Sequence, residues 1–295
     1  MDAVLYGPDG FYMTEACRAG RAGDFVTSVE IGDAFGLAIA ELIPEGARVA
    51  DVGGGRGTLA RSIGAHSGAE VAVVDISPEA LAVASQAGLI VAETVANLPW
   101  TPDVVIAHEL LDNIPARLVS RAGELVIGPV EGASLDAGIA WYRIPLDPEA
   151  SAYVDRYLPE PETGCGVVAF PERALGWLQG IDCDRLLIFD YGDTAARLAA
   201  RSDWPLRAYA KQRRVDPLEA ASGIDCDVTV DVPSDAICDR LVESGWRVRL
   251  SSQHEWLERS TSARAGNLAE RSALTDSRGM GGFFVIEATR KDSAQ

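Results

Sequence analysis

Val49-Ala50-Asp51-Val52-Gly53-Gly54-Gly55-Arg56-Gly57-Thr58-Leu59 is the stretch from which this chain is best read. A short apolar run ends in an aspartate and breaks into glycines at 53, 55 and 57, after which Leu59 and Ile63 resume at helical spacing. Glycine is needed where a backbone turns hard and must admit a ligand without a Cβ in the way. The helix opening behind such a turn presents unpaired N–H groups to a polar ligand. The pattern is a strand, a loop and a helix arranged around a nucleotide or nucleoside.

Three glycine-rich readings compete for it. A triphosphate-binding loop ends in Gly-Lys-Ser/Thr, and Gly55-Arg56-Gly57-Thr58 lacks that lysine. The dinucleotide fingerprint G-x-G-x-x-G/A is matched by Gly55, Gly57 and Ala60, but it begins two residues beyond the strand's end at Val52. Asp51, Gly53, Gly55 and Gly57 fill a third pattern, Asp-x-Gly-x-Gly-x-Gly, in register with the strand end. That pattern resembles the first motif of S-adenosylmethionine (SAM) dependent methyltransferases.

A second apolar run, Val71-Ala72-Val73-Val74, ends in Asp75, and Ser77-Pro78-Glu79 follows as an N-cap with proline at the first helical position. An acid at the end of the second strand lies beside the first loop and can accept both ribose hydroxyls. Dehydrogenases and methyltransferases share this feature, so it supports a nucleoside without naming it.

Composition narrows the class. The 295 residues are 47% hydrophobic, enough for a sizeable core, and a formal net charge of −18 opposes long-range attraction to nucleic acid or anionic lipid. Nucleic acid is therefore set aside as a partner, and Lys211-Gln212-Arg213-Arg214 reads as a solvated face. Five cysteines, at 17, 165, 183, 226 and 238, form no C-x-x-C pair, and the three histidines share no ligand spacing. These features suit a reducing cytoplasm and predict no metal. No apolar stretch approaches the ~18 residues of a spanning helix, and Met1-Asp2-Ala3-Val4 lacks the basic start of a signal peptide.

Strands and helices alternate along the chain. Gly88–Ala92, Asp103–Ala107 and Arg185–Asp190 read as further strands, with a helix from about Pro78 to Ala87 and a closing pair at Trp246–Leu250 and Phe283–Ala288. Continuous apolar runs of this length suit a parallel sheet covered on both faces. The expected fold is α/β: a Rossmann-like, mostly parallel sheet of seven strands with N-terminal and mid-chain accessory elements. Residues 1–45 are assigned to an N-terminal accessory segment or lid, with a helix from Ile31 to Leu42. Residues 46–115 and 181–290 form the core. Residues 116–180 form an inserted hairpin and helical segment on the substrate side, and 291–295 a tail.

His108-Glu109-Leu110-Leu111-Asp112-Asn113-Ile114-Pro115 follows the fourth strand and places acids at the same sheet edge as the glycine loop. Acids there can bind a cationic group, position a nucleophile or accept a proton. They can also simply complement a helix N-terminus. His108 reads equally as a packing residue or a base.

Five segments together resemble the MidA family of SAM-dependent methyltransferases, which includes the mitochondrial complex I assembly methyltransferase. They are Leu5-Tyr6-Gly7-Pro8-Asp9-Gly10-Phe11-Tyr12; Gly23-Asp24-Phe25-Val26-Thr27-Ser28-Val29-Glu30-Ile31 with Phe35-Gly36; the glycine loop; Glu109 to Pro115; and Phe189-Asp190-Tyr191-Gly192 with Leu206-Arg207-Ala208-Tyr209 and Val215-Asp216-Pro217-Leu218. The resemblance spans residues 4 to 290. It departs from the family at His108, where asparagine is usual, at Asp75, where glutamate is usual, and at Asp231 and Pro233.

The resemblance implies SAM as cofactor. Asp51, Gly53, Gly55 and Gly57 would form its cradle, Asp75 would hold the ribose, Ile76 would pack near the adenine, and Phe25 and Thr27 would fold over it. Glu109, Asp112 and Glu30 are the catalytic candidates on the acceptor side. Eukaryotic relatives methylate protein arginine, so a protein arginine acceptor is the first expectation. A small-molecule acceptor and a non-catalytic SAM-binding assembly factor are the alternatives, and a homodimer is left open.

Overall fold

The computed structural model describes residues 1–14, 27–130, 138–160, 163–211, 213–265 and 267–291. Phe25, expected at the cofactor, lies outside the described residues with the rest of Gly23–Val26, the start of the Gly23–Ile31 signature.

Seven strands build the main sheet: β1 (Arg48–Val52), β2 (Glu70–Val74), β3 (Ile90–Ala92), β4 (Val104–His108), β5 (Arg185–Asp190), β6 (Trp246–Ser252) and β7 (Phe284–Arg290). Their order is β3-β2-β1-β4-β5-β7-β6. β1 to β5 run parallel, while β7 pairs antiparallel with both β5 and β6. This is the mostly parallel seven-stranded Rossmann-like sheet expected from the apolar runs.

The runs are continuous because both faces are buried. Ala50, Val52, Val105, Ala107, Leu186 and Ile188 belong to the core on one face. Their alternating neighbours Val49, Val104, Ile106, Leu187 and Phe189 belong to the core on the other. A residue period of two divides the buried apolar residues of these strands between the two cores. The helix after β2 spans Pro78–Gln86, and its Ser77 hydroxyl accepts the Ala80 amide at 3.3 Å, with Pro78 at the first helical position.

The N-terminal helix runs over Asp33–Ala40, shorter than its apolar pattern at the start because Gly32 caps it after a 3₁₀ turn at Ser28–Glu30. The expected hairpin forms Arg117–Ser120, Gly123–Pro129 and Ile139–Ile144, to which Val168–Phe170 adds a fourth antiparallel strand. A three-stranded antiparallel sheet of Leu206–Ala210, Arg213–Val215 and Asp227–Val230 had no counterpart in the periodicity reading. Its residues share a third core with Leu5 and Phe11, from the short helices Asp2–Tyr6 and Phe11–Thr14, and with Leu118 and Leu125 of the hairpin. Among the described residues, no helix is long and apolar enough to cross a membrane.

Candidate active site

The chain reverses its direction of strand addition at β1, between β2 and β4, where open α/β sheets bind ligands beyond their carboxyl ends. In-register pairing of Val52 with Val74 and with Ala107, and of His108 with Phe189, brings four strand ends to one edge. A cavity of about 1130 Å³ opens along that edge, above the range of about 300–1,000 Å³ usual for a single small ligand. Asp51, Gly53, Gly55, Asp75, Ile76, Thr27, Glu30, Glu109 and Asp112 all line it.

The three glycines do different work. Gly53 (φ 72°) turns the chain out of β1 and donates to the Val74 carbonyl at 2.7 Å, tying the loop to β2. Gly57 caps the helix Thr58–Ser67, and a Cβ there would meet Leu89 Cδ1 at 2.3 Å. It lets helix and sheet close together and does not itself line the cavity. A Cβ on Gly55 (φ 54°) would meet nothing within 4 Å, so this glycine leaves backbone exposed at the cavity wall.

Asp75 joins the loop to the next turn: Oδ2 accepts the Gly55 amide at 2.9 Å and Oδ1 the Ser77 amide at 2.8 Å. Burial raises its pKa despite these donors. Ile76 beside it is 54% exposed, an apolar side chain left open at the cavity. Asp51 is buried beneath the loop with Oδ2 unpartnered, and burial pushes its pKa up to about 7 against the opposing pull of His108. An orphaned carboxyl oxygen, an open glycine and an exposed isoleucine fit a ligand with a polar chain, a sugar and an aromatic base.

Glu109 is one of two non-glycine residues with positive φ among those described, at 49°. A left-handed backbone at a glutamate stores strain that neighbours must sustain. Its carboxylate turns back to the N-terminal segment, accepting the Ser28 amide at 3.2 Å, with His108 Nε2 at 3.1 Å from Oε1. Glu109 thereby anchors the turn that carries Thr27 and Glu30 to the cavity. His108 is buried against Phe35 and Phe189, with ring centroids at 4.9 and 6.2 Å.

Asp112 and Asp190 are two buried carboxyls at the ends of neighbouring strands. Asp190 accepts the Leu111, Asp112 and Tyr191 amides at 2.8, 3.3 and 2.9 Å, yet burial still lifts it to about 7. Asp112 lies well above the usual carboxylate range, through burial and then the charges of Asp190 and Asp227, while the facing Tyr191 hydroxyl pulls the other way. Its Oδ1 has no hydrogen-bond partner.

The far half of the cavity contains residues that no short motif in the sequence marks as a set. Tyr12 donates its hydroxyl to Asn113 Oδ1 at 3.2 Å and Asp227 Oδ1 at 3.1 Å, and Asn113 Nδ2 donates to the same Asp227 oxygen at 3.1 Å. The Tyr6 hydroxyl donates to the Asn113 carbonyl at 3.0 Å and its ring stacks on Tyr12. Periodicity could not join residues so far apart in the chain; the resemblance segments contained Tyr6, Tyr12 and Asn113 but not Asp227. Of the inserted segment 116–180, Arg173 and Trp177 reach the cavity wall, whereas Arg207, Tyr209, Asp227, Thr229 and Asp231 reach it from in and around the three-stranded sheet.

A family described as "Putative S-adenosyl-L-methionine-dependent methyltransferase" matches residues 37–250. The chain belongs to this family. It is an S-adenosylmethionine-dependent methyltransferase by fold and family, with SAM as its cofactor. Among solved structures, two Burkholderia thailandensis proteins of one superfamily resemble it along nearly its whole length. One, bound to S-adenosyl-homocysteine (SAH), has a TM-score of 0.77 and 23% identity over 98% of this chain and 86% of that one. The other has a TM-score of 0.76 and 21% identity over 98% and 85%. At these identities the likeness shows the fold. The ubiquinone biosynthesis O-methyltransferase of Xanthomonas axonopodis pv. citri (strain 306) is 26% identical over 195 residues, 58% of this chain and 78% of that protein.

Proposed function

We propose that this methyltransferase acts on a small-molecule hydroxyl or amine bound in the half of the cavity beyond the glycine loop. The observation that carries the reading is the cavity's far half, where Tyr6 and Tyr12 are tied across Asn113 and Asp227 beside the buried carboxyl of Asp112. In the cofactor half, Gly53 and Gly55 would receive the methionine portion, Asp75 the ribose and Ile76 the adenine. Gly57 would seat the helix behind them and Asp51 would steady the loop. Thr27 would cover the cofactor. SAM supplies an electrophilic methyl on a sulfonium.

The chain's own task is to align the acceptor's lone pair and to take its proton. Asp112 is the group for that proton, because a carboxyl held high by burial is a stronger base than an exposed one. Glu30 would face the acceptor from the N-terminal turn. Glu109 would act through Ser28 as a positioning residue.

An arginine acceptor, the first expectation from the resemblance, calls for ionised carboxylates free to grip a guanidinium. Glu109 is engaged by the Ser28 amide and is not free for such a grip, which favours the smaller acceptor. The Xanthomonas relative, named for O-methylation in ubiquinone biosynthesis, supports the same choice. The reading also places the enzyme in the cytoplasm.

The test is to incubate the protein with methyl-labelled SAM and a host lysate, then separate small molecules from protein. Label in the small-molecule fraction, lost with Asp112→Asn while SAH still binds, is expected. Label confined to protein would return the acceptor to a side chain.

A further inference from the structure

The far wall of the cavity gathers positive charge in a chain that carries 44 acidic and 26 basic residues. Arg207 and Arg201 both engage the buried Asp231, Arg207 through Oδ1 and Arg201 through Oδ2 at 3.3 Å. Two guanidiniums thus share one buried carboxylate. The next acid, Asp193, stands 3.8 Å from Arg201 at a part-exposed site, where such a contact contributes little. A guanidinium has five donors in a fixed fork. The Arg207 side chain is 23% exposed and that of Arg201 is 43%, and both line the cavity, so donors remain for a ligand.

Their position relative to the chemistry is set by one side chain. The Arg207 guanidinium lies over the Tyr191 ring, 5.2 Å from its centroid, while the Tyr191 hydroxyl faces Asp112. Tyr191 therefore touches both: its ring face carries the Arg207 guanidinium and its hydroxyl faces the proposed proton acceptor. Stacking on Tyr191 and pairing with Asp231 fix the plane of the Arg207 fork, the preorganisation that planar recognition of a carboxylate needs.

We propose that Arg207 and Arg201 form an anion-reading subsite, so that the acceptor is a small acid whose carboxylate lies against the two arginines and whose methyl-accepting atom lies toward Asp112. This rests on the small-molecule reading above. Asp231 is a positioning residue that holds both arginines.

The probe is the small-molecule extract of the source organism, incubated with the full-length protein and methyl-labelled SAM, with products resolved by anion exchange at pH 8. An anionic labelled product is expected. Its unlabelled acceptor should show a KM raised roughly 10- to 100-fold in Arg207→Met, with kcat little changed. Arg201→Gln, at a more exposed position, should raise KM in the same direction, and it carries the test where Arg207→Met does not fold. SAH affinity by calorimetry should be unchanged in both, since a fall would mean that the arginines hold the cofactor's own carboxylate and would overturn the proposal. A neutral or cationic product overturns the anion subsite and leaves the small-molecule reading standing. Label only in protein, or none in the extract, overturns both.

Discussion

Gly55 and Gly57 sit two residues apart with similar backbones, φ 54° and 77°, yet alanine at each should fail differently. Any L-residue in the left-handed region costs about 1–2 kcal/mol, so both variants carry that strain. At Gly57 the added Cβ would also lie 2.3 Å from Leu89 Cδ1 and 3.1 Å from Val73 Cγ2, and overpacking a closed core adds about 1–3 kcal/mol. Gly57→Ala should therefore lose about 2–5 kcal/mol and Gly55→Ala only about 1–2. At about 2–4 °C per kcal/mol for a large domain, Tm should fall by about 4–20 °C in the first and about 2–8 °C in the second. Binding should reverse the order. The Gly55 methyl enters the space where a cofactor would meet backbone, so SAH affinity should fall at least about tenfold. The folded fraction of Gly57→Ala should bind almost normally. Thermal unfolding and titration calorimetry with SAH, run on both variants, decide it. Equal Tm losses, or wild-type SAH affinity in Gly55→Ala, would refute the separate roles of cradle and packing.

The raised pKa of Asp51 makes a signed prediction. The native carboxyl keeps its proton to about pH 7, whereas the unfolded chain releases it near 3.8, so the native state binds more protons in between. Stability should fall as pH rises through that window and level off above it. Asp51→Asn should gain on the wild type across the window by an amount of order a few kcal/mol, read from urea unfolding at each pH, and a constant difference would sink the assignment. At Glu109, where φ is 49°, glycine should be more stable than alanine by about 1 kcal/mol, although both remove the Ser28 anchor. Hydrogen exchange at the Ser28 amide should speed up equally in the two, and an unchanged rate would disprove the anchor. Tyr12→Phe leaves Asp227 and Asn113 short of one buried donor and should cost about 1–3 kcal/mol. Restoration of stability by adding Asp227→Asn would confirm the coupling, and simple additivity would refute it.

The half proposed to hold the cofactor was legible because it is local. Asp51, the glycines, Asp75 and the Ser77 cap obey rules of strand ends and helix starts that act over a few residues, and the sheet follows from apolar runs buried on both faces. The acceptor half was not readable by period. Tyr6, Asn113 and Asp227 meet through contacts that no window contains, and the resemblance segments carried the first two without the third. The strands of the three-stranded sheet are short and mostly one-sided, so their alternation is too brief to separate from loop. Glu109 shows a different limit: its residue type marked an acid at the right edge, but its positive φ, which turns the carboxylate toward Ser28, is a property of the fold.

The tie from Tyr12 to Asp227 has a bearing on how the chain assembles. The loop, both acids and the helix cap of the cofactor half lie within 51–77, so that half can form as soon as its own strands pair. The far half closes only when the N-terminal residues meet a strand more than two hundred positions later, and contacts of such separation are slow to form. Folding and specialisation are divided along the same line. Substitutions in the late-closing half can alter what is methylated while the early-forming half continues to bind its nucleoside, so a new acceptor can be selected without rebuilding the cofactor site.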